Sequence, residues 1–357
     1  MREDKFKLHL RGAGSFVQGR FETAAREPFD DGWTPEEREA TELQTQVTIE
    51  RARSIVSRND SPDVGFDRSI NPYRGCEHGC IYCYARPSHS YLELSPGLDF
   101  ETKLYAKTNA AELLREALAK PGYAPSPIAL GANTDCYQPI ERKYRITRQI
   151  LEVLAECEHP VTMVTKSALV ERDLDLLKEL SSKNLVKVFV SIGTLDRELA
   201  RKLEPRAASP QRRVDVLRKL SENGVPCGVL AAALIPALND KTLEHVLEAA
   251  ARAGATEAAY VIMRLPHELK DLFKEWLDKH YPQRAEHVIS IVHQMRGGKD
   301  NDPNFGTRMT GTGNFAALIE KRFDIACRRL GLNEQTRRDL DCTRFRAPAL
   351  GGQMKLF

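Results

Sequence analysis

The chain contains no apolar run of the roughly 18 to 20 residues that a membrane-spanning helix requires. Its first ten residues carry scattered charges and lack the apolar stretch that a secretory signal contains. Repeats of roughly 20 to 50 residues and low-complexity tracts are also missing. We therefore expect a globular, cytoplasmic protein that does not enter a membrane.

The chain also has little excess charge of either sign. Its formal net charge is +3 for 357 residues, so no large electrostatic footprint indicates nucleic acid, although a local basic patch is compatible with this value. Hydrophobic residues make up 41% and charged residues 29%, which is ordinary for a globular protein. Composition therefore does not indicate a function, so the functional prediction depends on the motifs.

Eight cysteines occur without a recognisable signal peptide, which favours thiols or metal ligands over disulfides. Three of them, Cys76, Cys80 and Cys83, have a C-x3-C-x2-C spacing, and the next cysteine is Cys136. A structural metal site normally has four protein ligands, so three close cysteines without a fourth predict a metal centre with one open position. Two glycines, Gly75 and Gly79, allow the backbone angles that a tight loop needs.

Iron–sulfur clusters are held by cysteine thiolates, and three cysteines can bind three irons of one cubane while the fourth iron stays open. The alternatives are a zinc knuckle with His78 or His89 as the fourth ligand, or unconnected thiols. Zinc sites usually have two ligand pairs a dozen or more residues apart, and that spacing is absent. None of the nine histidines lies in a clear metal-site or catalytic-triad context.

Apolar, β-branched runs alternate with amphipathic helical stretches after about residue 66, which predicts parallel strands with helical crossovers. The predicted strands are Ser69–Tyr73, Pro127–Asn133, Val161–Lys166, Val186–Ile192, Gly228–Ile235 and Ala258–Met263. This α/β pattern fits an open sheet or a full or partial barrel, and both place the functional face at the carboxyl ends of the strands. The cysteines follow the first strand, so we expect them on that face.

The regions on either side of this pattern differ from it. Residues 1–61 are predicted to form a polar, partly disordered N-terminal arm, with a short strand at Gln46–Ile49. The core domain is predicted at residues 62–298. Residues 299–357 are predicted to form a loop and a helical C-terminal extension, because Phe315–Leu330 is amphipathic.

The cysteine segment also resembles a known family. C-x3-C-x2-C with an aromatic residue before the third cysteine, here Tyr82, is similar to the signature of the radical S-adenosylmethionine (SAM) superfamily. The longer segment 71–84, NPYRGCEHGCIYCY, resembles the branch that includes spore photoproduct lyase. The resemblance covers roughly residues 66–300 and is strongest at the cysteines.

The resemblance implies a [4Fe–4S] cluster on Cys76, Cys80 and Cys83, with SAM chelating the open iron. It implies that one electron, from a donor of the flavodoxin or ferredoxin type, cleaves SAM and yields a 5′-deoxyadenosyl radical that abstracts hydrogen from a substrate. The implied fold is a partial (β/α)6 barrel of the TIM type. The cofactors then carry the chemistry, and the protein supplies orientation and exclusion of water.

The same resemblance assigns SAM contacts to strand ends. Thr134 or Asp135, which end the second predicted strand, would lie near the SAM amino group, and Lys166 would pair with its carboxylate. Ser191 ends the fourth strand and resembles a SAM-contacting serine. Each also has a structural alternative: a polar turn, a solvated lysine, or a buried hydroxyl bonded to backbone.

Three further residues are candidates for the nucleoside part of SAM. Glu204 would bind the ribose hydroxyls or simply pair with Arg206. Tyr82 is expected near the adenine, and Tyr84 is expected to be either an aromatic contact to SAM or a packing residue.

The substrate is the open question. Spore photoproduct lyase uses a cysteine as a hydrogen donor near the second strand end, where this sequence has Asn133. Cys136, three residues later, is a candidate donor that we expect to be accessible from the same face. A nucleic acid is a candidate substrate by analogy, and Arg142, Lys143, Arg145 and Arg148 form a basic run that either binds phosphate or is a solvated helix face. The alternatives are tRNA or peptide modification, or a non-catalytic iron–sulfur or zinc module.

Overall fold

The computed structural model describes residues 11–23, 43–334 and 339–349. The strands are β1 Gln46–Glu50, β2 Val56–Arg58, β3 Arg68–Ile70, β4 Tyr73–Arg74, β5 Lys103–Lys107, β6 Ile128–Leu130, β7 Val161–Thr165, β8 Val186–Ser191, β9 Cys227–Leu234 and β10 Glu257–Ile262. The helices are α1 Asp99–Thr102, α2 Ala110–Leu118, α3 Glu141–Tyr144, α4 Ile146–Glu156, α5 Leu174–Ser182, α6 Arg197–Leu203, α7 Pro210–Glu222, α8 Leu243–Arg252, α9 Leu269–His280, α10 Pro282–Met295 and α11 Gly313–Leu330.

The larger sheet has seven strands in the order β10-β9-β8-β7-β6-β3-β2. All pairings from β3 to β10 are parallel, and only β2 runs antiparallel, at the edge beside β3. The six parallel strands are those predicted from the sequence. The predicted α/β fold with a partial (β/α)6 barrel is therefore confirmed.

The first predicted strand is shorter than expected. It ends at Ile70 because Pro72, which has no backbone N–H, cannot continue the ladder. After Asn71 and Pro72, the chain joins a second, three-stranded sheet of order β1-β5-β4 through β4. This switch between sheets turns the chain into the cysteine loop.

The helices bury one face each against the sheet because their apolar residues recur at helical spacing. In α7, Val214, Leu217 and Leu220 are buried. This helix begins at Ser209 and Pro210, and Gly224 follows its end with φ +70°, as a C′ glycine should. The helices thereby fix the strand ends from which the candidate site is built.

Residues 11–18, here called the N-terminal strap, lie across the cysteine loop, and Ala13 within the strap is buried. Part of the predicted disordered arm, residues 1–10 and 24–42, falls outside the described residues. The described strands β1 and β2 belong to the two sheets although they precede residue 62. The division into arm, core and extension stays a prediction.

The segment after α10 is attached to the core at several points. Arg296 donates hydrogen bonds to the carbonyls of Thr307 and Arg308, both at 2.9 Å, and the Ile262 N–H donates to Met309 O at 2.9 Å. Arg308 pairs with Asp63, which lies after β2. This ion pair, here called the seam pair, links the loop after β2 to the segment after α10. No helix among the described residues is long and apolar enough to cross a membrane.

Candidate active site

The cysteine loop lies at the carboxyl end of β3, as predicted. Cys76 and Cys80 are buried and Cys83 is partly exposed. Gly75 and Gly79 have φ values of +71° and +67°, a left-handed conformation that other residues adopt only under strain. The Cys76 N–H donates to Phe100 O at 2.9 Å, so the start of the loop is fixed to α1.

A buried ion pair supports the cysteine loop. Arg86 donates from Nε to Cys80 O at 2.9 Å and pairs with Glu101, and neither side chain is exposed. Glu101 also accepts from the N–H groups of Gly12 and Ala13, at 2.9 and 2.8 Å. Removing either partner would leave a buried charge uncompensated, so this pair fixes the strap and the cysteine loop to each other. No motif or spacing in the sequence indicates this pair.

The donor set fits an iron–sulfur cubane better than one metal ion. The described residues contain no group of three His, Cys, Asp or Glu side chains that could hold a single ion, whereas a cubane binds each thiolate to a different iron. His78 Nδ1 lies 3.3 Å from Asp135 Oδ2, and the His89 ring bonds Lys103 O at 2.9 Å. Both proposed zinc histidines are thus engaged elsewhere. Burial raises the pKa of Cys80 to about 12, so its thiolate requires nearby positive charge, which bound iron would provide.

The site contains a buried charged network centred on Glu204. The Tyr82 hydroxyl donates to one Glu204 oxygen, and Arg213 pairs with the other. Burial alone would raise the pKa of Glu204, but the Arg213 and Lys166 charges lower it below its usual value. Arg213 also donates to Ser191 O at 3.0 Å, so it ties the α6 loop to the end of β8. Glu204 therefore pairs with Arg213, and Arg206 pairs with Glu77 instead.

Arg213 is a site residue that sequence reasoning missed. Sequence inspection gives Arg212 and Arg213 as an ambiguous basic pair, but only Arg213 lies three and four residues from core positions of the same helix face. Its side chain is 2% exposed. An arginine on the apolar face of an amphipathic helix is the signal that could have identified it.

Lys166 emerges at the end of β7, beside this network. Its Nζ lies 5.9 Å from the centroid of the Tyr82 ring. Burial alone would lower the pKa of Lys166, but its electrostatic interactions with Cys80 and with the Glu204 carboxylate raise it above its usual value. Among the described residues no acceptor lies within hydrogen-bond distance of the Lys166 ammonium. Lys166 is partly exposed, and within the described part of the chain its ammonium is a charged donor without an acceptor.

The end of β6 is joined to its neighbours by the predicted polar residues. Asp135 accepts from the Thr165 hydroxyl at 2.8 Å and from the Lys166 N–H at 2.7 Å. Burial would raise the pKa of Asp135, but the charge and hydrogen bond of His78 and the N–H groups of Lys166 and Tyr137 lower it to about 2. The Thr134 hydroxyl donates to Tyr73 O at 2.9 Å. Both side chains thus shape the mouth of the barrel through protein contacts.

Ser191 and Tyr84 lie at the same mouth. The Ser191 hydroxyl donates to Ala232 O at 3.2 Å, which matches the structural alternative for this residue. The Tyr84 hydroxyl donates to Ala132 O, and the Arg264 guanidinium lies 4.7 Å from the ring centroid. Arg264, which follows β10, had no distinguishing sequence signal. The Tyr84 side chain is 43% exposed, so the ring faces the open end of the barrel.

Cys136 does not lie where the sequence predicted. The expectation that it is accessible from the cysteine face is wrong, because its side chain is fully buried within the main hydrophobic core. Burial raises the pKa of its thiol well above the usual value. Asn133, by contrast, is exposed at the strand end, where its N–H donates to Asn71 Oδ1 at 2.8 Å.

In the basic run from Arg142 to Arg148, acidic partners largely neutralise the charge of Arg148. Arg148 pairs with Asp173, Asp175 and Glu152 at 3.0, 2.7 and 3.1 Å. Such a helix face is better described as a solvated ion-pair network than as a phosphate site.

Residues 70–250 match the family model of the radical SAM superfamily. An uncharacterised protein of Mycobacterium tuberculosis is 37% identical over 220 residues, which are 61% of this chain and 65% of that protein, so the match spans just under two thirds of the relative. An uncharacterised protein of Methanocaldococcus jannaschii is 28% identical over 251 residues, covering 70% of this chain and 89% of that protein.

Among solved structures, a cysteine-to-serine mutant of spore photoproduct lyase superposes with a TM-score of 0.60 at 16% identity, covering 83% of this chain and 85% of that one. A double mutant of the same enzyme, with bound AdoMet and dinucleoside spore photoproduct, gives the same values. At this identity the likeness establishes the fold. The family model spans about half of the sequence and includes the three cysteines, and the chain accordingly belongs to the radical SAM superfamily, which uses a [4Fe–4S] cluster and SAM.

Proposed function

We propose that the protein is a radical SAM enzyme that removes a hydrogen atom from an organic substrate at the mouth of the barrel. When bound, the reduced [4Fe–4S] cluster and SAM supply reductive cleavage of SAM to methionine and a 5′-deoxyadenosyl radical. The observation that carries the proposal is the cysteine loop at the carboxyl ends of the strands, with a partnerless ammonium beside it.

In this proposal Cys76, Cys80 and Cys83 hold the cluster. Each can bind one iron, and the next cysteine along the sequence is Cys136, which is buried in the main core. The Arg86–Glu101 pair holds the loop in shape through Cys80 O. The protein's part is to fix three thiols and leave one coordination position for SAM.

Lys166 would bind the SAM carboxylate. Lys166 is partly exposed at the barrel mouth, so its ammonium is free to donate a charge-assisted hydrogen bond to a ligand carboxylate. Its raised pKa keeps Lys166 protonated at neutral pH. Tyr82, held by its bond to Glu204, would present its ring beside the same ligand.

The remaining predicted contacts are proposed with narrower roles. Glu204 would reach the ribose hydroxyls with acceptor capacity left after Tyr82 and Arg213 bind. Thr134, Asp135 and Ser191 would act mainly by shaping the strand ends, because their side chains already bond within the protein. Tyr84 would line the side from which the substrate enters.

The substrate is proposed to be a nucleic acid or nucleotide, by analogy with the solved lyase that carries a dinucleoside photoproduct. The exposed Asn133 and the buried Cys136 argue that the chain does not use a cysteine hydrogen donor at this strand end. Repair by that lyase's donor chemistry is therefore not proposed. Modification of tRNA or a peptide is the alternative reaction, and a small electron-transfer protein of the flavodoxin or ferredoxin type would supply the electron.

One experiment separates this function from a non-catalytic iron–sulfur or zinc module. The protein is purified without oxygen, reconstituted with iron and sulfide, and incubated with SAM and dithionite. We expect about four irons per chain and formation of 5′-deoxyadenosine, measured by chromatography with mass detection. A zinc module would be colourless, and an electron-transfer protein would bind iron without forming 5′-deoxyadenosine.

Two cysteine variants give the matched comparison. Cys80→Ala should lose most of the cluster absorbance and all 5′-deoxyadenosine, because it removes one of three iron ligands. Cys342→Ala removes a thiol in the C-terminal segment and should keep both signals. A full cubane in Cys80→Ala would contradict the assignment of the ligands.

A further inference from the structure

A cleft of about 320 Å³, lined chiefly by basic residues, lies between β1, β4 and β5. We call it the basic pocket; its lining is Glu50, Arg51, Ala52, Arg53, Ser54, Arg74 and Lys107. Four cations therefore face one carboxylate. The Arg142–Arg148 run differs from this pocket because the charge of its Arg148 is paired with Asp173 and Asp175.

The single carboxylate of the pocket is already committed. Glu50 accepts two hydrogen bonds from Arg74, each at 2.8 Å. Within the described residues, the guanidinium groups of Arg51 and Arg53 have neither an ion pair nor a side-chain hydrogen bond. The pocket thus presents uncompensated positive charge, and a cleft lined by one sign of charge concentrates its field on a bound ion of the other sign.

The backbone of the pocket is held in place rather than left as a loose loop. Asn109 bonds Ala52 twice: Oδ1 accepts from the Ala52 N–H at 3.0 Å, and Nδ2 donates to the Ala52 carbonyl at 2.9 Å. Arg51 and Arg53 flank this fixed residue. The two guanidinium groups are therefore displayed from a pinned segment, which reduces the entropy cost of binding a ligand.

Lys107 completes the pocket from its inner side. Its Nζ donates to Asn71 O at 3.0 Å, a neutral acceptor. Burial lowers the pKa of Lys107; Glu50 raises it, while Arg74 lowers it. A bound anion would stabilise the charged form of this lysine.

The pocket is connected to the candidate active site through one residue. The carbonyl of Asn71 accepts from Lys107, and its side-chain oxygen accepts from the N–H groups of Asn133 and Thr134, at 2.8 and 3.3 Å. Those two residues follow β6, at the barrel mouth. A ligand in the pocket would therefore lie beside the mouth, on the side of Asn133.

We propose that the basic pocket binds a phosphate group, and, resting on the proposed function, that this phosphate belongs to the substrate. Arginine matches phosphate with paired N–H donors, and lysine adds a point charge, so the lining suits a phosphate ester. The ester can be part of a small phosphorylated molecule or of a phosphodiester chain. The chemistry is the same for both, and the choice of probes separates them.

The test measures binding without turnover. Reconstituted protein, without dithionite, is titrated with inorganic phosphate and with a ten-nucleotide oligothymidylate at 50 and 200 mM salt by calorimetry. We expect at least one probe to bind. The double variant Arg51→Gln/Arg53→Gln should weaken that binding by about tenfold or more. For the oligonucleotide, the slope of the logarithm of the binding constant against the logarithm of the salt concentration should become shallower by about two. Two arginines no longer neutralise phosphates in this variant.

Two control proteins accompany the double variant. Arg51→Lys/Arg53→Lys keeps the charge and should retain most of the salt slope. Arg252→Gln removes an arginine of α8 that is 76% exposed, and should leave binding unchanged. Because Arg51 and Arg53 are exposed, iron content and circular dichroism of the Gln variant should match the wild type.

The outcomes divide clearly. Binding of inorganic phosphate alone indicates a small phosphate ester, and binding of the oligonucleotide alone indicates a phosphodiester chain. Each of these two outcomes supports a phosphate site in the pocket. If neither probe binds, or if the Gln variant binds as tightly as the wild type, the proposal is overturned. The 5′-deoxyadenosine assay is scored separately, so a failure of the pocket is distinguishable from a failure of the proposed function.

Discussion

Lys166 and Arg213 are two cations close to Glu204; Arg213 is buried and Lys166 is partly exposed, and they differ in how their charges are satisfied. Arg213 bonds Glu204, Ser191 O and Ala208 O, so it serves as framework. Lys166 shares the electrostatic field of Glu204 but has no acceptor within the described chain. The network therefore holds one cation in place and leaves the other for a ligand.

Lys166→Met tests this assignment. The substitution keeps the length of the side chain and removes the ammonium, so SAM should lose one charge-assisted hydrogen bond. We expect the dissociation constant of SAM, measured by equilibrium dialysis on reconstituted protein, to rise about tenfold to a hundredfold. Iron content should be unchanged.

Lys183→Met is the control for this substitution. Lys183 forms ion pairs with Glu158 and Glu179 after α5, away from the cysteine loop, and its replacement should leave SAM affinity unchanged. Equal affinities for SAM in Lys166→Met and the wild type would show that the carboxylate binds elsewhere.

His159 makes stability depend on pH. Burial is the main cause that lowers its pKa from 6.5 to about 4, so the folded protein keeps the ring neutral while the unfolded chain protonates it. The unfolded state then binds more protons between these values, and stability falls as pH falls. From pH 7.5 to 6.0 this one group should cost about 0.8 kcal/mol.

The measurement compares urea midpoints of wild type and His159→Gln at the two pH values. The variant lacks the titrating ring, so its midpoint should fall less than that of the wild type over the same interval. Parallel midpoints for the two proteins would mean that the ring titrates alike in the folded and unfolded states.

The cysteine ligand positions could be predicted from sequence because their spacing is local and chemically specific. The partners of Glu204 could not, since Arg213 reaches it only after α7 packs against β8 and the α6 loop. Cys136 was misplaced for a related reason. Its neighbours Asp135 and Asn133 face the mouth, and only the packing of the turn shows that the thiol points into the core.

At the scale of elements, the N-terminal strap is the least expected feature. Its contact with the cysteine loop depends on the absence of a side chain, because a Cβ on Gly12 would lie 1.7 Å from Gly79 O. Its N–H groups at Gly12 and Ala13 meet the Glu101 carboxylate. The strap thus covers one side of the loop that carries the cluster ligands.

Gly12→Ala should displace the strap. The new methyl group would clash with backbone that cannot rotate away, a type of overpacking that costs about 1 to 3 kcal/mol. We expect a lower thermal midpoint and faster loss of iron in air, followed by cluster absorbance. Gly14→Ala is the matched control, because its Cβ would meet only the end of the Glu275 side chain, at 2.9 Å. If both variants retain iron equally, the strap does not protect the loop.

Strands β6 to β10 were predictable because each is a largely apolar run that lies between helices; β3, with the sequence Arg-Ser-Ile, is short and lies between two other strands. The three-stranded sheet was only partly predictable from the sequence. Its β4 has two residues, and β5 directly follows α1, so neither gives a clear period in the sequence. Their pairing is decided by Pro72, which ends one ladder, and by partners far along the chain.

At the scale of the whole molecule, the cluster ligands and the main core are separate. The core is formed by the strands and helices of the barrel, whereas Cys76 packs in a small cluster with Ala85 and Phe100. The loop has its own support in the Arg86–Glu101 pair. We therefore expect the barrel to fold without the cluster, unlike a small zinc domain, whose folding requires its metal.

Removal of the cluster with a chelator and an oxidant tests this separation. We expect far-UV circular dichroism to be nearly unchanged and hydrogen exchange to increase mainly in residues 76–83 and the strap. A global loss of helical signal would mean that iron is needed for the barrel itself. Reconstitution should restore the original exchange pattern.

The seam pair gives the barrel an unusual kind of closure. β2 and β10 are the two edges of the larger sheet in the described chain. The loop after β2 is joined by the ion pair of Asp63 and Arg308 to the segment after α10, which in turn bonds the end of β10. Separating these loops would break that pair and the hydrogen bonds that Arg308 and Gly306 make to the loop after β2, but no ladder bond between strands. Within the described residues, the two edges of the larger sheet are therefore connected by side-chain contacts and not by strand pairing.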